Sequence, residues 1–305
     1  MKVLTYRDLT SKDELLPLMD HAFRWPFNPR TFEKFVKTDP RMKDSPVGFC
    51  AVEDGRPVGF VGVLDLATRV LNGRIEHAGG IYGVATLPSH ARKRISTALM
   101  ERAHEHFIDK SYRFSFLTTS HTIVAHSFYE KLGYTDLLEM PSAYKVLKAR
   151  KTKPAKKGIT PRFDFDKILK IYNEYMKGKT GFVVRSEADL RVLKKGERLT
   201  ARECIIDDDG YVLFRIERNG VWIRELLALN AEEMSKLVSL VEERAKDIVY
   251  DRAVFDDRLL QVYESRGYMT EKRSHSVIMV KPLTAQASIK QTYGEKLYTT
   301  SLDLF

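Results

Sequence analysis

The stretch Val84-Ala85-Thr86-Leu87-Pro88-Ser89-His90-Ala91-Arg92-Lys93-Arg94-Ile95-Ser96-Thr97-Ala98-Leu99 changes hydrophobic period halfway along. Up to Leu87 it reads as the end of a strand over residues 74–87. After Pro88 the spacing of Ile95, Ala98, Leu99, Ala103 and Phe107 predicts a long amphipathic helix over residues 89–107. Arg92, Lys93 and Arg94 then fall in its first turn, where a helix already carries partial positive charge and unpaired N–H groups. They are out of place there unless an anion offsets them, and a phosphate does so. As a merely solvated corner they cost only about a few tenths of a kcal/mol each.

Upstream, residues 2–6 read as a strand, residues 11–24 as a helix capped by Ser11 with Glu14 three residues later, and residues 30–37 as a second helix. Strands over 47–53, 57–68 and 74–87 are joined by the turn signals Asp54-Gly55 and Asn72-Gly73. Downstream come a strand over 113–119, a helix over 123–132 closed by Gly133, and a strand-rich stretch to Leu147. The order is α+β, with one β-helix-β unit at its centre.

Length and charge set outer bounds. A chain of 305 residues, 43% of them hydrophobic, suits two soluble domains. No apolar run is long enough to span a bilayer, and the start reads into structure rather than a signal peptide, so a cytoplasmic protein is expected. Cys50 and Cys204 lack any paired spacing, and the eight histidines show no ligand motif, so no metal is expected; His104 and His106 read as helix surface. The net charge of +10 favours an anionic partner. Residues 148–157 hold six basic residues, a proline and no acid, which suits a tether. No aromatic residue is interleaved to stack on bases, so nucleic acid is disfavoured as a partner. Membrane binding is not expected, and a homo-oligomer is left open.

The second half repeats the first in weakened form. Phe128-Tyr129-Glu130-Lys131-Leu132-Gly133-Tyr134 recurs as Val262-Tyr263-Glu264-Ser265-Arg266-Gly267-Tyr268, an offset of 263 − 129 = 134. Asp209-Gly210 and Asn219-Gly220 echo the two turn signals in order. The junction matching the basic turn reads Leu229-Asn230-Ala231-Glu232-Glu233, an ordinary capped helix start with no need for an anion. The expected layout is a domain over 1–147, a basic linker over 148–161, a degenerate copy over 162–282 and a tail over 283–305.

A strand ending in V-x-x-x-P, a basic turn, a helix, a strand and then F-Y-x-x-x-G-Y resembles the GCN5-related N-acetyltransferases (GNAT), and the degenerate second copy is similar to the enhanced intracellular survival (Eis) family within them. The resemblance implies tandem GNAT folds, each a mixed, mostly antiparallel sheet flanked by helices, and acetyl-CoA as co-substrate. It places the pantetheine arm on Val84, Ala85 and Thr86 and the pyrophosphate on Arg92, Lys93, Arg94, Ile95, Ser96 and Thr97. Ser120, just past the next strand, joins this set, and Tyr129 becomes the general acid to the departing thiolate. It also suggests the chain's own terminal carboxylate, on Phe305, as the base, with Glu76, His77 and His90 as alternatives near in sequence. The family pattern R-x-x-G-x-G/A is departed from, since Ala91, Arg94 and Ser96 stand there. The acceptor is an amine of a small molecule or peptide that no motif identifies. A nonenzymatic CoA-responsive or nucleic-acid-binding module is the alternative.

Overall fold

A computed structural model describes residues 1–24, 27–148, 163–218, 220–272 and 275–303, with central strands that are buried over continuous runs and helices that bury one 3.6-residue stripe. In chain order the first half forms β1 (Lys2–Thr5), α1 (Leu15–Phe23), α2 (Pro29–Thr38), β2 (Gly48–Glu53), β3 (Arg56–Arg69), β4 (Ile75–Thr86), α3 (Ile95–Asp109), β5 (Phe114–Ser120), α4 (Val124–Lys131), β6 (Thr135–Glu139) and β7 (Ser142–Val146). The second forms α5 (Phe165–Tyr175), α6 (Glu187–Gly196), β8 (Cys204–Ile206), β9 (Gly210–Glu217), β10 (Gly220–Ala228), α7 (Ala231–Glu242), β11 (Ile248–Asp251), α8 (Asp257–Ser265), β12 (Met269–Glu271), β13 (Ser276–Pro282) and α9 (Ile289–Tyr293).

Two mixed sheets result, ordered β1-β2-β3-β4-β5-β13-β6 and β12-β7-β11-β10-β9-β8. The α+β, two-sheet reading of the sequence therefore holds, with β4–β5 and β10–β11 the parallel pairs. The duplication is visible in detail. Gly133 and Gly267 close α4 and α8 with φ of 87° and 77°. In both copies the tyrosine that follows donates its N–H to the helical tyrosine's carbonyl, at 3.1 Å for Tyr134 to Tyr129 and 3.0 Å for Tyr268 to Tyr263.

The two compact units are not consecutive stretches. One comprises Met1–Leu138 with Val277–Glu295, the other Glu139–Ser276 with the segment from Lys296. The ranges 1–147 and 162–282 read from the sequence differ from these in their last strands. Each half lends its final strand to the other's sheet, β7 sitting between β11 and β12 and β13 between β5 and β6. Alternation marks a strand but does not name its partner. A fragment ending at residue 147 would lack β13, whose Val277 and Met279 are buried in the first unit's core. Most of the basic segment 148–161, Asn219 and Phe305 lie outside the described residues.

Three local expectations are corrected. The helix over 89–107 begins only at Ile95, after a short 3-10 turn at Pro88–His90, because Arg92 and Arg94 adopt left-handed φ of 63° and 60° that no α-helix accommodates. The basic triplet thus precedes the helix. Ser11 does not cap α1, which starts at Leu15 without a side-chain cap. His104 is not surface: it is buried, with Nε2 2.9 Å from the Tyr134 hydroxyl and Nδ1 3.4 Å from Lys281 Nζ, and His106 is half-buried against Phe49.

Burial, aided by the Lys281 charge, pushes the His104 pKa down from 6.5 to about 3. The folded protein therefore holds this imidazole neutral while the unfolded chain protonates it. Its contribution is complete above pH 6.5 and is lost as the pH falls toward 3. Denaturant midpoints should show a loss of about 2 kcal/mol on going from pH 6.5 to about pH 5. His104→Gln, which cannot ionise, should flatten that slope; an equally steep slope in the variant would exclude His104 as its source.

Candidate active site

The central opening of the first unit is made by β4. It pairs with β5 only at Gly79–Ile81 against Ser115–Leu117, yet continues to Thr86. Against β3, Tyr82 faces Gly62 while Ala85 faces Phe60, so β4 carries one extra residue, a bulge with Gly83 at φ 60°. Bulging bends the strand away from β5. The Leu87 N–H donates to the Val58 carbonyl at 2.9 Å, so alternation turns Ala85 toward β3 as well. Val84 and Thr86 then face the side that β5 has left. Gly79, deeper in β4, is needed for another reason: a Cβ there would lie 2.3 Å from the Phe107 ring of α3.

The strand end meets the helix start directly. Thr86 and Ser96 share a hydroxyl hydrogen bond of 2.6 Å, and Ile95 is buried in the core cluster that also holds Tyr129, with Val84 and Leu87 packed against it. Arg92, Lys93 and Arg94 are exposed, and among the described residues none of their side chains makes a hydrogen bond or salt bridge. His90, beside them, holds Glu53 at 2.6 Å and Ser89 at 2.9 Å. That hydrogen bond lowers the Glu53 pKa, and the charges of His90 and Lys93 act in the same direction. Arg94 is the N-cap of α3 in a left-handed conformation where the family pattern has glycine, so this chain keeps the turn at a cost of about 1–2 kcal/mol.

Helix ends in the two units differ systematically. α3 and α4 have no side-chain cap and no acid in the first turn. Their counterparts α7 and α8 are capped by Asn230 and Asp256, with Glu232, Glu233 and Asp257 in their first turns. The second unit still has a bulge, at Arg224, and β10 still outruns β11. Its bulge carbonyl, however, accepts a hydrogen bond from Ser301 of the chain's own tail. A cavity of about 530 Å³ beside Leu229 also has paired cations, Arg258 with Asp256 at 2.9 Å and Lys296 with Asp257 at 2.8 Å.

Tyr129 and Tyr263 are equivalent in sequence and unlike in chemistry. Tyr263 is fully buried and donates its hydroxyl to Asp251 at 3.0 Å. Tyr129 is 7% exposed, and its hydroxyl has no hydrogen-bond partner among the described residues. Burial raises its pKa to about 12, so it stays a protonated donor at neutral pH.

Other candidates are placed less favourably. Glu76 and His77 lie at the opposite end of β4 from Thr86, roughly 30 Å away at about 3.3 Å per residue. There Glu76 pairs with Arg113 at 2.5 Å and His77 stacks on Tyr112. Ser120, at the end of β5, is buried and turned toward its own loop, 2.9 Å from the Thr122 hydroxyl. Thr97 sits half-buried in the first turn of α3. Sequence reasoning missed the bulge, although Gly79, Gly80 and Gly83 within one strand were its signal. It also missed a grouping of His121, His126 and Asp136, which no spacing motif announces.

Residues 5–136, which hold the opened parallel strand pair, the two uncapped helices and the basic turn, match the family model for the acetyltransferase (GNAT) domain. No curated protein sequence matches the chain. A GCN5-related N-acetyltransferase from Kribbella flavida is similar in structure, with a TM-score of 0.67 and 17% identity over 92% of this chain and 72% of that one. A probable N-acyltransferase from Enterococcus faecalis V583 has a TM-score of 0.67 and 16% identity, over 92% and 72%. Eis1 from Mycobacterium abscessus has a TM-score of 0.54 and 17% identity over 84% of this chain and 71% of its own.

Proposed function

We propose that the first unit transfers an acetyl group from acetyl-CoA to the amine of a small molecule or peptide by direct attack, and that the second unit has kept the fold without the cofactor site. The contrast in helix ends carries this reading. The helix α3, uncapped and acid-free directly after three cations that have no partner among the described residues, leaves N–H groups and positive charge uncompensated, and a diphosphate compensates both. Arg92, Lys93, Arg94 and the N–H groups of Ile95, Ser96 and Thr97 hold the pyrophosphate. The main-chain groups of Val84 and Thr86 face the pantetheine, with Ala85 between them paired to β3 and Ser120 at the end of β5. A main-chain N–H at the bulge polarises the thioester carbonyl. The amine nitrogen attacks that carbon, the C–S bond breaks, Tyr129 supplies a proton to the sulfur, and a base takes one from the nitrogen. Among the described residues no helix is long and apolar enough to cross a membrane.

The test is thiol release from acetyl-CoA over a panel of amines. Replacing Arg92, Lys93 and Arg94 together by Ala should raise the KM for acetyl-CoA by about 10²-fold or more, at roughly 1.5–3 kcal/mol per charge-assisted hydrogen bond, with little change in kcat. An unchanged KM would contradict the assignment. Arg94→Gly separates turn from charge: it should raise thermal stability by relieving the left-handed arginine while still weakening the cofactor.

A further inference from the structure

We propose that His121, His126 and Asp136 form a zinc-class divalent-cation site in the first unit, one helical turn from Tyr129. The inference stands on the side-chain geometry and not on acyl transfer. His121 is in the loop leaving β5, His126 is on α4 and Asp136 is on β6, and one donor atom from each lies within 4.8 Å of the other two. Two imidazoles and a carboxylate are a donor set that suits zinc, leaving the fourth tetrahedral position open.

Three details favour a cation over an ordinary hydrogen-bond network. His121 Nε2 is shielded from solvent without a hydrogen bond, and its nearest carboxylate oxygen, Asp136 Oδ2, is 3.5 Å away. Two ligands on a tetrahedral zinc with bonds of about 2.0–2.1 Å stand roughly 3.3 Å apart, so this spacing fits a shared metal. The two imidazole rings pack 4.6 Å apart at 36°, and a bound ion would draw the three donor atoms, now within 4.8 Å of one another, closer together by small side-chain rotations. His126 Nε2 lies 2.8 Å from Asp136 Oδ1 while its Nδ1 faces Glu130 Oε2 at 3.6 Å. In a metal-bound state His126 would give its Nε2 lone pair to the ion and turn its Nδ1–H toward Glu130, the outer carboxylate that commonly orients a metal-bound histidine. The competing arrangement, with no metal, is a neutral His126 that donates its Nε2–H to Asp136 Oδ1 at 2.8 Å.

The full-length protein, stripped with chelator and dialysed against zinc, should retain one ion per chain. Cobalt in its place should show the intense visible bands of a tetrahedral site. His126→Ala and Asp136→Asn should abolish both signals, and Glu130→Gln, a change at an exposed outer position, should weaken zinc by roughly 10- to 100-fold. Circular dichroism and acetyl-CoA binding report whether each variant is folded, and loss of acetyl-CoA binding in the parent would sink the acetyltransferase reading while leaving zinc uptake intact. Zinc uptake equal in the parent and in the His121→Ala/His126→Ala double variant, or no uptake at neutral pH, overturns the site in favour of the metal-free His126–Asp136 hydrogen bond.

Discussion

Tyr129→Phe is expected to lower kcat for acetyl transfer by about 10²-fold, toward the bottom of the range of roughly 10²–10⁴ for loss of a general acid, with the KM for acetyl-CoA unchanged. The bottom of that range follows from the site itself. Burial holds the phenol pKa at about 12, whereas an ordinary thiol titrates near about 8.5. Proton transfer from this phenol to a free thiolate is therefore uphill, and in the proposed mechanism the hydroxyl lowers the barrier by a hydrogen bond that strengthens as negative charge grows on sulfur before the proton passes. That role needs a hydroxyl with no prior partner, which Tyr129 has and Tyr263 lacks. Tyr263→Phe is the control: it should leave kcat unchanged and cost about 1–3 kcal/mol, because the buried Asp251 carboxylate loses a donor. The same pKa predicts that any alkaline fall in kcat below about pH 10 arises from a group other than Tyr129. Full turnover in Tyr129→Phe would remove the tyrosine from the mechanism and leave the cofactor cleft standing.

Local chemistry was readable in the sequence and partnership was not. The turn Asp54-Gly55 predicts its hairpin because both residues need positive φ, and they have it, at 50° and 78°. Asn230 predicts a capped helix and accepts from the Glu233 N–H at 2.8 Å. The basic triplet was noticed because its charge was wrong for a helix start, and the structure resolves the conflict by delaying the helix to Ile95. By contrast, β7 and β13 look like any closing strands, and their exchange follows from sheet pairing that no residue records. His104 was misread because a single histidine on an amphipathic helix gives no sign that Tyr134, thirty residues on, will meet it. The His121, His126 and Asp136 grouping escaped for the same reason. Its members reach one point only when a loop, a helix and a strand are folded together.

The second unit's tail should prove a stability element whose largest sensitivity is at Arg185. This guanidinium is wholly buried, pairs with Glu225 at 2.8 Å and Asp303 at 2.9 Å, and lies 4.1 Å over the Tyr172 ring. Tyr211 donates to Glu225 at 2.6 Å and Thr300 to Asp303 at 2.9 Å. One positive charge thus serves two carboxylates, and the protein divides it unequally: for both groups burial works against ionisation, but Arg185 still brings the Glu225 pKa below its ordinary value, whereas the Asp303 pKa is raised. Arg185→Ala should cost about 3–5 kcal/mol, since it leaves uncompensated buried charge. Both carboxyl groups would then have folded-state pKa values above their unfolded ones, so the variant should recover stability as the pH falls and lose it as the pH rises. Asp303→Asn should be milder, because it keeps the Arg185–Glu225 pair and removes only the carboxylate whose pKa is already raised. Thermal midpoints at about pH 5 and pH 8 decide the matter: if Arg185→Ala tracks the parent in parallel across that interval, the buried charge is not what binds the tail, and the packing of Leu302 in the second unit's core must hold it instead.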